Sequence, residues 1–235
     1  MEGRENGPRS GRARGVLVST TLPARFFRWS GSPGRRPRSL RPRDDLPVTP
    51  VSLKGRLLIA SPALADSNFD HTVVLMLEHS DDGALGLVLN RPSDAPLDEF
   101  LPAWGPAAAD PSVVFLGGPV SPDSAIGLGL TATPDGDDLV VGWIRVLGRL
   151  GTVDLGRDPT EVRPHVEMLR VYAGYAGWAA GQLESELQAG GWFVADAELD
   201  DSLTAEPQLL WRNVLRRQRG SLSWLANFPL DPATN

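Results

Sequence analysis

The most constraining stretch of the chain is residues 72–89, TVVLMLEHSDDGALGLVL. Two short runs of apolar and β-branched residues, Thr72–Glu78 and Ala84–Leu89, flank the turn formers Ser80-Asp81-Asp82-Gly83. Runs of this length joined through an Asp-Gly turn predict a β-hairpin. A hairpin pairs its strands antiparallel, so a sheet built on it is antiparallel at least at that point.

The rest of the chain extends the pattern. Gly55–Ala60 is a short apolar run, and Ser61 as N-cap with Pro62 at the first helical position predicts one or two helical turns through Ala65. Asp66-Ser67-Asn68 breaks them. Val113–Leu116 reads as a strand ending in the Gly117-Gly118-Pro119 turn, followed by a strand at Ala125–Leu130, a Pro134-Asp135-Gly136 turn and a strand at Leu139–Ile144. ALGLVL (84–89) and AIGLGL (125–130) echo each other and read as equivalent strands, with Gly86 and Gly127 admitting a close neighbour. In the last third the period changes. Met168–Ala173 and Trp192–Ala195 read as strands. Gly177–Ala189 reads as a helix closed by Gly190-Gly191. Glu206–Arg219 reads as an amphipathic helix, with Leu210, Trp211, Val214 and Leu215 on one side and Arg212, Arg216 and Arg219 on the other. Hairpins first and helices interleaved later predict an α+β fold: one compact domain, with a twisted, mostly antiparallel sheet and helices packed against it.

At 235 residues the chain is long enough for a sizeable core, and no apolar run approaches the roughly 18 residues of a membrane helix. The absence of cysteine excludes disulfides, a thiolate nucleophile and a thiolate zinc site, and fits a reducing compartment. The net charge of −6 is unevenly divided. Residues 1–45 hold eleven arginines against four acids, a net +7, while the remainder holds twelve bases against twenty-five acids, a net −13. An acidic body argues against direct nucleic-acid binding. Residues 1–47, rich in Arg, Gly, Pro and Ser, read as a disordered basic leader preceding a domain at 48–235. Three readings of that leader compete: a secretory signal with a weak apolar stretch, an Arg-rich arm for an acidic partner, and a start assigned too early, with the chain beginning near Val48 or Val51.

Little catalytic chemistry is legible. His71 and His79 share strand parity but stand roughly 26 Å apart along an extended chain, too far to share a metal. His165 reads as a loop residue, and no metal site or cofactor is expected. Ser61, Asp70 and His71 invite comparison with a triad, but Ser61 is better explained as a cap. GLGLTA (127–132) matches G-x-G-x-x-A, yet it lies in an alternating run followed by Pro-Asp-Gly, not at a helix start. Two places could recognise an anion. Arg91, in Asn90-Arg91-Pro92 at a strand end, could fork onto a carboxylate or phosphate, or pair with a neighbouring acid. Gly174-Tyr175-Ala176-Gly177 reads as a strand-to-helix junction whose free N–H groups favour an anion, or as a tight connection packed with aromatics.

The blocks GRLLIASPAL, DHTVVLMLEH, GALGLVLNRP, VVFLGGPV, RVYAGYAGWAAGQLESEL with GGWF, and LLWRNVLRRQ with LANFP resemble, in that order, the YqgE/AlgH family of bacterial proteins. The resemblance covers roughly Leu53 to Pro229 and implies a cytosolic bacterial protein with a compact α+β fold. It supplies no catalytic residues and no established activity, only a family name that records a proposed role in regulating alginate production. The family blocks coincide with the candidate ligand-binding residues Asn90 and Arg91, Gly117 and Gly118, and Gly174 and Gly177. The expected function is a non-enzymatic binding or regulatory domain for a small anionic ligand or a protein partner. The alternative is an unrecognised hydrolase or transferase acting on a small anionic substrate, with Ser61, Asp123 and Arg91 converging from distant segments.

Overall fold

The computed structural model describes residues 52–64, 66–132, 142–220 and 222–227. The leader at 1–47, the Pro134-Asp135-Gly136 turn and the first residues of the strand expected at Leu139–Ile144 lie outside them. The strands are β1 (Arg56–Ala60), β2 (Val73–Ser80), β3 (Gly83–Val88), β4 (Pro92–Pro96), β5 (Val113–Leu116), β6 (Val120–Thr131), β7 (Trp143–Leu147), β8 (Leu150–Val153), β9 (Val166–Ala179) and β10 (Trp192–Asp196). The helices are short: α1 (Leu97–Phe100), α2 (Pro159–Val162), α3 (Gln182–Gln188), α4 (Leu199–Ser202), α5 (Leu210–Arg216) and α6 (Leu222–Leu225).

The strand order β10-β1-β2-β3-β9-β6-β8-β7 is antiparallel throughout, with β4 paired to β5 and β5 joining β9 in parallel. The α+β fold with a mostly antiparallel sheet is thus as expected. The fourteen-residue β9 is the spine: its first half pairs with β6 and its last residues with β3. These two partners are the echoing ALGLVL and AIGLGL runs. A Cβ on Gly86 would lie 2.8 Å from the Leu75 carbonyl oxygen, and one on Gly127 3.0 Å from that of Val153, so both glycines do sit against a neighbouring backbone. The sheet curls until β7 meets the start of β1, where a Cβ on Gly55 would stand 3.1 Å from the Val146 carbonyl oxygen.

β1 and β2 read as nearly unbroken apolar runs because both faces are covered. Leu57, Ile59, Val73, Leu75 and Leu77 pack with Leu85, Leu87 and Tyr172 under α5, whose Leu210, Trp211, Val214 and Leu215 are buried as expected. Leu58, Val74 and Met76 face the opposite side, with Trp178, Trp192 and Leu183 of α3. A third cluster, around Trp104, Trp143, Leu169 and Val171, fills the far end.

Several boundaries differ from expectation. Ser61-Pro62 opens a turn and not a helix, because the Ser61 hydroxyl donates to the Gly190 carbonyl (2.8 Å) while accepting only the Ala63 N–H (3.2 Å). The strand expected at Met168–Ala173 continues to Ala179, since β3 offers it a further partner edge. The helix expected over Gly177–Ala189 begins only at Gln182. Of the strand expected at Leu139–Ile144, the described part begins with Trp143 at the start of β7. The helix expected over Glu206–Arg219 shrinks to Leu210–Arg216, with Pro207 opening a 3-10 turn before it. The two histidines do not share a face. His71 precedes β2 at φ 52° and a bulge follows Met76, so His71 packs edge-on to Trp211 while His79 reaches α3 on the other side.

Candidate functional site

The Asn90-Arg91 corner follows β3, where the chain turns toward β4. The Asn90 amide is used at both ends: its Oδ1 accepts the Val73 N–H (3.0 Å) and its Nδ2 donates to the His71 carbonyl (2.9 Å). It therefore fixes the left-handed residue, His71, that precedes β2. The Arg91 fork donates to the Ser67 and Asp70 carbonyls, each at 3.3 Å, and so clamps the loop before β2. No acidic side chain among the described residues pairs with it. His71 Nδ1 lies 2.6 Å from the Asp70 carboxylate, but its Nε2 is buried without a partner and the Ser61 hydroxyl is turned to Gly190, so the triad is not assembled.

Gly117, Gly118 and Gly174 meet where the β5–β6 turn crosses β9. Gly117 N–H donates to the Ala173 carbonyl (2.8 Å), and its own carbonyl accepts the Val88 N–H (2.9 Å), joining β3, β5 and β9. A Cβ on Gly117 would sit 2.3 Å from the Gly174 carbonyl oxygen, and one on Gly174, at φ 69°, 2.6 Å from that of Gly118. Three backbones fill this crossing. Gly174 and Gly177 lie inside β9, so the helix start expected there, and the free N–H groups it would offer, do not exist. Gly177 differs from the others, since a Cβ there would make only ordinary contacts from 3.4 Å outward. The GLGL of 127–130 lies wholly within β6, with no helix to follow it.

The most heavily buried cation was not singled out from sequence. Arg170 on β9 is 1 % exposed and donates to three main-chain carbonyls, those of Asp110 (2.6 Å), Thr204 (3.0 Å) and Ser202 (3.3 Å). Its guanidinium lies over the Phe115 ring, 4.2 Å from the centroid. Burial pulls its pKa down, and burial pushes that of the neighbouring Tyr172 well up, so the phenol stays neutral and donates to the Ser202 carbonyl (3.3 Å). Arg170 thus ties the loop after α4 to the sheet. From the other side Arg217 holds α4 through the Asp201 carboxylate (Nη1 to Oδ1, 2.6 Å), which raises the Arg217 pKa. A lone arginine inside the apolar run MLRVYA is the signal that could have marked this knot. A shallow cavity of about 200 Å³ beside it is lined by Leu130, Met168, Leu199, Asp200, Leu203 and Thr204.

The remaining polar pairs also hold the fold. His79 Nδ1 accepts the Leu53 N–H (3.1 Å), leaving its Nε2 to donate to Glu184 (2.7 Å). The Glu184 pKa is lowered by its own backbone N–H and by His79. Glu186 accepts from both the Trp178 and Trp192 indoles, at 2.9 and 2.8 Å. Among the described residues no group of three or more His, Asp or Glu is placed to hold a metal, and no helix is long and apolar enough to cross a membrane. The surface of α5 and α6 differs. Trp224, which the sequence does not single out, is 79 % exposed, and Arg216 and Arg219 are exposed without an ion pair among the described residues.

Comparison with known proteins places this architecture. A family model described as AlgH-like matches residues 57–223. A UPF0301 protein of Streptomyces coelicolor is 50% identical over 185 residues, covering 78% of this chain and 96% of the relative. Another from Thermobifida fusca is 43% identical over 194 residues, covering 79% and 96%. Among solved structures, a crystal structure of a Corynebacterium diphtheriae protein is similar at TM-score 0.70 and 36% identity, covering 74% of this chain and 91% of that one. The solution structure of the AlgH protein from Pseudomonas aeruginosa is similar at TM-score 0.57 and 32% identity, covering 77% and 96%. With a family model spanning most of the described fold and relatives at this identity, the chain belongs to the AlgH-like, UPF0301 family of bacterial proteins.

Proposed function

We propose that the chain is a non-enzymatic, cytosolic binding domain with a regulatory role, and that it recognises a protein partner and not a small anion. One observation carries this reading: the candidate anion-binding residues of the corner and the glycine crossing, and the buried Arg170, are engaged with the protein's own main chain. Asn90 and Arg91 hold the residues around β2, Gly117 and Gly174 face each other's backbones, and Arg170 is ringed by carbonyls. An anion would have to displace bonds that the fold uses. The residues of the enzymatic alternative are also engaged elsewhere: Ser61 bonds Gly190, Arg91 bonds Ser67 and Asp70, and neither shares a hydrogen bond or ion pair with Asp123 among the described residues. The small cavity has an acidic residue, Asp200, and no basic one in its lining, which does not favour an anionic substrate.

A thermal-shift screen of the full chain against nucleotides, phosphorylated metabolites and carboxylates tests this. A ligand at a hundred times its Kd stabilises by about 2.7 kcal/mol, which raises Tm by roughly 5–10 °C in a domain of this size. No shift is expected across the panel. A shift abolished by Arg91→Ala would replace the proposal with a small-anion binder sited at the Asn90-Arg91 corner.

A further inference from the structure

Residues 207–227, running from the 3-10 turn through α5 and α6, hold Arg212, Arg216, Arg217 and Arg219 and no acidic residue. That is a third of the twelve basic residues that follow residue 45, gathered in eight positions of an otherwise acidic body. Arg217 is engaged by Asp201 and Glu198. Among the described residues the other three have no carboxylate partner, and the buried Nε of Arg212 has no hydrogen-bond partner. Five residues beyond Arg219 stands Trp224, 79 % exposed on a helix whose neighbours Leu225 and Ala226 are held in the core. The anchored side of α6 fixes Trp224 outward. An indole left in water forgoes the burial that makes tryptophan the residue most enriched at binding hot spots.

We propose that Arg212, Arg216, Arg219 and Trp224 form a docking surface for an acidic peptide segment of a partner protein, with an apolar side chain of that segment seated on Trp224. This rests on the reading of the chain as a protein-binding domain and names the chemistry of the partner. Charge decides among anionic partners. Duplex DNA carries one charge per roughly 1.7 Å over its whole length, and a lipid surface presents charge across a plane, so either would face the −13 body as well as the patch. A short acidic segment brings its charges only to the three free arginines.

The probe is a fluorescein-labelled twelve-residue peptide of alternating glutamate and leucine, titrated into the full chain and followed by anisotropy. Binding is expected at 50 mM salt and weakens at least fivefold by 300 mM, since exposed charges are screened. Trp224→Ala and, separately, Arg216→Glu with Arg219→Glu are each expected to weaken it tenfold or more, with Tm unchanged because these side chains support no fold contact. A peptide of alternating lysine and leucine serves as the control and is expected not to bind. Equal binding of the wild type and both variants, absence of binding, or tighter binding to a single-stranded oligonucleotide or an anionic vesicle would each overturn the proposal. The broader reading is separable: photo-crosslinks to a protein from position 224 in cells, without binding of the acidic peptide, would retain the binding domain and discard only the acidic partner.

Discussion

The glycine crossing and the α5–α6 face treat polar groups in opposite ways. At the crossing, Gly117, Gly118 and Gly174 bring three backbones within van der Waals distance, and the nearby Asn90 amide and Arg91 Nη2 hold main chain. On α5 and α6 an apolar side is buried, but Arg216, Arg219 and Trp224 face water with no partner among the described residues. Sequence blocks rich in glycine and Asn-Arg-Pro therefore read here as devices for closing a sheet. The residues available to another molecule sit in a stretch whose pattern looks like an ordinary amphipathic helix.

Substitutions sharpen that contrast, beginning with the glycines. Gly174→Ala puts a Cβ 2.6 Å from a carbonyl oxygen at a left-handed φ of 69° and is expected to cost about 4–5 kcal/mol in denaturant unfolding, if the protein folds at all. Gly177→Ala, three residues away with open contacts, is expected to cost under ~1 kcal/mol. Equal losses at both would break the distinction between crossing and flank. Next comes Arg170→Met, which leaves the Asp110 and Thr204 carbonyls without their donor and the Ser202 carbonyl with Tyr172 alone. About 3 kcal/mol is expected, together with faster hydrogen exchange in residues 199–204. Asn90→Ala leaves the Val73 N–H and the His71 carbonyl unpaired and is expected to cost about 2–3 kcal/mol. Arg91→Ala, losing two long and exposed bonds, is expected to cost no more than ~1 kcal/mol.

The acid limb supplies a subtler difference. Glu184 has its folded pKa lowered from 4.5, so its contribution to stability is fully present above that value and is lost as the pH falls through the lowered one. Glu184→Gln should flatten that part of the stability profile and leave the neutral range nearly unchanged, as followed by Tm between pH 3 and 7. The smallest effect is expected on the open face. Trp224→Ala and the pair Arg216→Glu with Arg219→Glu should each stay within ~0.5 kcal/mol of wild type.

Much of the fold was legible because local signals agree with tertiary pairing. The turn formers at 80–83 do join β2 to β3, and the apolar stripe Leu210, Trp211, Val214 and Leu215 is the buried side of α5. Errors arose where a partner strand overrode local pattern. GYAGW looks like a helix start because its glycines interrupt the strand period, yet pairing of Ala176, Gly177 and Trp178 with β3 carries β9 through it. Parity misled at His71 because a left-handed residue and a bulge reset the alternation. Asn90 and Arg91 were visible as polar groups at a strand end, but no sequence rule shows that the carbonyls awaiting them belong to residues 67–71. Arg170 was passed over because a lone charge in an apolar strand has no local partner to announce it. The exposure of Trp224 depends on how α6 docks, which its four residues do not specify.

A nitrogen-15 amide and indole NMR titration with the acidic peptide bears most directly on the central claim, because it reports both regions in one experiment. Shifts concentrated at residues 212–224, including the Trp224 indole, with Arg91, Gly117, Gly118 and Gly174 unmoved, are the predicted result. Shifts centred on the Asn90-Arg91 corner and the glycine crossing would contradict the account.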